Sequence, residues 1–129
     1  MSEKFSVGQL LAGLPPPAAD EHFECLHAAG GARIERIVSH GQSSPPGFWY
    51  AQDGDEWVAV VAGEASLEFA DGRSLTMRAG DWVVLPAGSR HRVARTASPT
   101  VWLAVHLPRA EDDARPPRPQ LPGGLQSPS

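Results

Sequence analysis

Cysteine is almost absent: Cys25 stands alone in 129 residues. A single thiol excludes an intrachain disulfide and fits a reducing compartment, so a cytoplasmic location is expected. No base stands beside it in sequence, and Cys25 is read as structural. Long hydrophobic runs are missing too. None approaches the roughly 20 apolar residues needed to span a bilayer, and no membrane partner is expected. The opening MSEKFSVGQLLAGLPPP lacks a basic stretch followed by a long apolar one, so no secretory leader is expected. Basic charge is not in excess: 11 Lys and Arg against 15 Asp and Glu leave a net charge of −4. That is the opposite of a nucleic-acid footprint, and no nucleic-acid partner is expected. Helical apolar periodicity of useful length is lacking in the middle of the chain, which argues against a helical domain.

Glycine and proline are plentiful, 13 of each. With 41% hydrophobic and 20% charged residues, the composition is that of a globular domain rich in turns. Three parts are expected. Residues 1–20 form a lead-in, where Phe5 to Leu14 could make a short amphipathic helical turn ended by Pro15-Pro16-Pro17. Residues 21–107 form the domain. Residues 108–129 form a Pro-rich tail, expected to be flexible or to serve as a ligand for an SH3-like module.

Within the domain, short β-rich segments alternate with turn signals. Strands are expected at His22 to His27, Arg33 to Ser39, Phe48 to Tyr50, Glu56 to Ala62, Ala65 to Phe69, Ser74 to Arg78, Trp82 to Leu85, His91 to Arg95 and Thr100 to Leu107. Asp71-Gly72 is the strongest hairpin signal, and Asp53-Gly54 marks a second tight turn. Strands of this length and spacing make an all-β sandwich, barrel or jelly roll.

Two segments sharpen the reading. In the run from Gly80 to His91, Gly80 permits the turn into an apolar strand. Pro86 ends that strand because it donates no ladder hydrogen bond. Gly88 lets the chain reverse, and His91 starts the next strand. Gly80, Pro86, Gly88 and His91 stand at the spacing of the second cupin motif, with Arg95 where that motif has Asn. The run from Tyr50 to Gly63 resembles the first cupin motif: Glu56 and Gly63 match, while Tyr50 and Gln52 replace its two histidines. The resemblance covers roughly Arg33 to Leu107. It implies the cupin double-stranded β-helix, a small jelly-roll barrel of the RmlC-like kind, and it implies a homodimer.

The resemblance also implies a divalent metal held by three His and one Glu. This chain keeps one His and the Glu. A reduced set of Gln52, Glu56 and His91, with His106 as a further candidate, would take Zn, Mn, Fe or Ni through imidazole and carboxylate donors. Gln52 brings only a neutral carbonyl oxygen, and Tyr50 is expected as a wall residue. His40, at the end of a strand, is a further candidate. Arg90, Arg92 and Arg95 cluster near the site strand, and one of them could face an acid group on a ligand. The expected ligand site is therefore Tyr50, Gln52, Glu56 and His91.

Three functions follow. The first is binding of a small polar molecule, anionic or not, with or without a metal. The second is a metal-dependent dioxygenase or sugar-type isomerase. The third is a non-catalytic dimeric interaction module that uses Trp-bearing strands and the tail. The fold alone names no reaction.

Overall fold

The computed structural model describes residues 4–109. Eight strands follow one another with no helix among the described residues: β1 (His22–Ala29), β2 (Ala32–Ser39), β3 (Gly54–Ala62), β4 (Glu64–Phe69), β5 (Ser74–Arg78), β6 (Trp82–Leu85), β7 (His91–Thr96) and β8 (Thr100–Arg109). They form two antiparallel sheets, of order β1-β2-β8-β3-β6 and β5-β4-β7. No helix among the described residues is long and apolar enough to cross a membrane.

The sheets face each other because their strands are apolar on alternate residues. Val58, Val60, Val83, Leu85, Trp102 and Ala104 of the larger sheet meet Ala65, Leu67, Phe69 and Met77 of the smaller. Phe69, Leu67, Met77 and Val60 are almost completely sealed from solvent. Each such side chain contributes roughly 1.5–3 kcal/mol.

The chain changes sheets between β3 and β4 at Gly63. Its φ is +93°, and a Cβ there would lie 2.5 Å from the Pro99 carbonyl oxygen and 2.6 Å from Thr100 Oγ1. Only glycine fits that corner. The Asp71-Gly72 turn joins β4 to β5 as expected, with Gly72 at φ +94°.

Several expectations need correcting. The lead-in contains a turn near Leu10 and no helix. The Leu10 and Ala12 carbonyls accept instead from Arg36 Nη1, at 3.1 and 2.7 Å. Phe48 to Tyr50 forms no strand, because Phe48 closes a turn onto the Pro45 carbonyl and only Tyr50 meets a neighbour. Gly54 opens β3 rather than closing a turn, and β8 runs to Arg109, past the expected end of the barrel. The tail beyond Arg109 lies outside the described residues.

Candidate functional site

His91 is placed by main chain. Its N–H donates to the Tyr50 carbonyl at 3.0 Å, and the Tyr50 N–H donates to its carbonyl at 2.7 Å. The ring is 6% exposed by residue, and Nδ1 lies 3.2 Å from the Ser89 carbonyl oxygen. A carbonyl only accepts, so Nδ1 carries the proton. In the neutral ring Nε2 then bears the lone pair, and it has no protein partner among the described residues. Burial pushes the imidazole below its ordinary 6.5, against a smaller upward pull from the Ser89 carbonyl. His91 is thus a neutral ring with a free acceptor nitrogen.

Glu56 enters the barrel from β3, paired across the ladder with His106 on β8 and Leu85 on β6. It is 8% exposed. Burial holds its carboxyl above the ordinary 4.5. His106 and Arg33 pull it down, and Glu35 pushes it up. Its Oε1 accepts from Gln52 Nε2 at 3.0 Å, while Oε2 has no partner among the described residues.

Gln52 sits in the loop before β3, and its carbonyl accepts from the Gly88 N–H at 2.8 Å. Its side chain bridges two strands. The amide nitrogen serves Glu56, and Oε1 lies 3.1 Å from His106 Nδ1. The other His106 nitrogen, Nε2, lies 3.0 Å from Glu35 Oε1, and Glu35 Oε2 lies 3.3 Å from Arg33 Nε. A continuous polar chain therefore runs Arg33–Glu35–His106–Gln52–Glu56.

Glu35, His106, Gln52 and Glu56 wall one cavity of about 180 Å³. Tyr50, Gln52, Glu56, His91, His106, Glu35 and Glu21 form its polar side. Val58, Leu67, Leu85, Val93 and Trp102 form its apolar side. The four expected ligand-site residues come together here, and His106 joins them. Tyr50 is a wall residue, 43% exposed, with its ring edge-on to Phe48 at 4.7 Å and 6.2 Å from the His91 ring.

The expected metal set does not fit. Among the described residues no three His, Cys, Asp or Glu side chains are grouped to hold an ion. Gln52 Oε1 already faces a His106 ring nitrogen, and both His106 nitrogens face oxygens. That leaves Glu56 Oε2 and His91 Nε2, too few donors for a protein-held transition metal. His40 is elsewhere: its nitrogens lie 2.9 Å from Ser98 Oγ and 3.0 Å from the Pro15 carbonyl, so it ties down the lead-in. Arg92 is bound to Glu68 and to the Ser44 carbonyl, Arg95 lies 3.7 Å from Glu64, and neither lines the cavity.

Glu35 and Glu21 are the site residues that sequence reasoning missed. Nothing local marks Glu35: on β2 it alternates with the exposed Arg33 as well as with Ile37 and Ser39, and its partner His106 comes from β8.

A sequence model described as the cupin domain matches residues 35–106. No curated protein matches the chain. Among solved structures, a candidate mannose-6-phosphate isomerase from Ralstonia eutropha JMP134 is 52% identical, over 80% of this chain and 98% of that one, with a TM-score of 0.77. An RmlC-like cupin protein from Desulfovibrio desulfuricans is 18% identical over 81% and 99%, TM-score 0.66. A cupin superfamily protein from Desulfitobacterium hafniense is 18% identical over 74% and 84%, TM-score 0.63. The last two share the fold alone. With its barrel, its Glu56 and His91 motifs and these matches, the chain belongs to the cupin family.

Proposed function

We propose that the chain binds a small polyhydroxylated molecule in the barrel cavity and moves a proton between adjacent carbons of it, a sugar-isomerase type of reaction that needs no metal. One observation carries the reading: two buried groups with free polar atoms wall the same cavity, and their surroundings push them in opposite directions. Glu56 holds its proton to higher pH than an ordinary carboxyl, and His91 gives its proton up more readily than an ordinary imidazole. Both shifts enlarge the fraction of molecules in which Glu56 is protonated while His91 is neutral, the form that supplies an acid and a base together. The name of the Ralstonia relative supports the same class.

In the step, the lone pair of His91 Nε2 takes the proton from the carbon next to the substrate carbonyl. The electrons of that C–H bond form a C=C bond, and the carbonyl oxygen takes the Glu56 proton to give an enediol. Glu56, now a carboxylate, accepts the proton of the neighbouring hydroxyl as that oxygen becomes the carbonyl, and His91 returns its proton to the other carbon. No electrons enter or leave, so no oxidant is needed. Gln52 steadies the Glu56 carboxyl throughout, and the apolar wall excludes water from the carbon frame.

The test is proton NMR of hexoses incubated with the protein in D2O. Wild type is expected to place deuterium beside the carbonyl, and His91→Gln to slow this by about 10²–10⁴-fold. Binding without any C–H exchange would leave a binding module in place of an isomerase.

A further inference from the structure

The polar side of the cavity carries three carboxylates, Glu21, Glu35 and Glu56, and among the described residues no lysine or arginine lines it. The guanidinium groups around the site already have carboxylate partners. Arg33 turns to Glu35, Arg92 to Glu68 and Arg95 towards Glu64. Of the three acids, Glu35 alone makes an ion pair with an arginine. Glu21 and Glu56 accept hydrogen bonds from neutral donors, the Ser39 hydroxyl and the Gln52 amide. Glu56 is 8% exposed, and its Oε2 has no partner among the described residues.

An anion entering this space would lose its hydration, meet the Glu21 carboxylate and find no unpaired arginine or lysine on the wall to answer it. A protonated amine would lose hydration too, but it would meet Glu21 and Glu56 oxygens that lack a charged donor. The apolar residues that also line the cavity suit a carbon frame.

We infer that the ligand of this cavity is a small polyhydroxylated molecule carrying a protonated amine, and that sugars bearing phosphate or carboxylate are rejected. The polyhydroxyl frame rests on the isomerase reading above; the charge rests on the cavity wall alone. The name of the Ralstonia relative speaks of a phosphorylated sugar, and the wall charge separates this chain from that substrate.

Calorimetric titration of the full-length chain at neutral pH and low salt tests the inference with three hexitols of one frame: N-methylglucamine as cation, sorbitol as neutral, sorbitol 6-phosphate as anion. The cation is expected to bind about tenfold tighter than sorbitol, a factor of about 1.4 kcal/mol, and the phosphate not to bind. Glu21→Gln is expected to weaken N-methylglucamine several-fold and to narrow its advantage over sorbitol. A phosphate that binds as well as sorbitol, or a cation that binds no better, overturns the inference. If no hexitol binds, the polyhydroxyl frame and the isomerase reading fall. The charge inference is then decided by cyclohexylammonium against cyclohexanecarboxylate: tighter binding of the ammonium upholds it, and no preference or the reverse overturns it.

Discussion

Along β3 the inward side chains run from Glu56 through Val58 to Val60, and along β8 from His106 through Ala104 to Trp102. The same strands thus build a polar end and a dry end of one interior. The dry end packs Ala65 and Met77 against the larger sheet, and Trp102 Nε1 donates to Ser39 Oγ at 3.0 Å. The polar end links Glu35, His106, Gln52 and Glu56 in one hydrogen-bonded chain, with His91 on the same cavity wall. The difference is instructive because the backbone ladder is shared: the dry end lowers the energy of the fold, while the polar end carries groups that are costly to bury. Natural domains accept that cost where chemistry or recognition is done.

The largest expected effect lies at the dry end. Met77→Ala should lose about 2–5 kcal/mol of stability, measured by urea unfolding, because Met77 is fully buried away from the cavity wall, while the NMR titration of His91 stays as in wild type. A loss below about 1 kcal/mol, or a moved His91 titration, would break the division between the two ends.

The pH dependence of stability comes next, and here the polar end should act in two directions. The Glu56 carboxyl is held above 4.5, so the folded state binds that proton more tightly than the unfolded chain. Its contribution is complete below 4.5 and is lost as pH rises through the raised folded value. His91 is held below 6.5, so the folded state binds that proton less tightly. Its contribution is complete above 6.5 and is lost as pH falls through the lowered folded value. Thermal unfolding across pH should therefore show Glu56→Gln gaining on wild type towards neutral pH, and His91→Gln flattening the loss on the acid side. Parallel curves for both variants and wild type would mean that burial at this end shifts neither group.

The smallest expected effect is on metal. Chelation followed by added Zn or Mn should leave the melting temperature within about 1 °C. A bound ion at a hundred times its Kd would add about 2.7 kcal/mol. A shift on that scale, lost in His91→Ala with Glu56→Ala, would show that the two free donors recruit an ion with water completing its shell.

How much was readable in advance follows the same division. Most of the strands and the Asp71-Gly72 hairpin were legible because they depend on local pattern: alternation and turn residues. Glu56 and His91 were legible because they stand at fixed distances from Gly63 and Gly88. Glu35 was not, since it reaches His106 only because β2 lies beside β8, a contact across 71 residues. Nor was the side of the sheet that His106 faces. The ladder decides it by setting His106 opposite Glu56. Arg92 and Arg95 misled for the complementary reason: their partners, Glu68 and the Ser44 carbonyl for the first and Glu64 for the second, come from other parts of the chain, while Arg90 is exposed and does not line the cavity.

The bond from the Gly88 N–H to the Gln52 carbonyl uses none of the glutamine side chain. Position 52 is therefore a socket: the main chain settles where a side chain will stand and leaves open which one stands there. A lineage could exchange the occupant and rewire the polar end while every strand kept its register. Inheritance of the barrel and inheritance of the chemistry are then separate events, written in different atoms of the same residue.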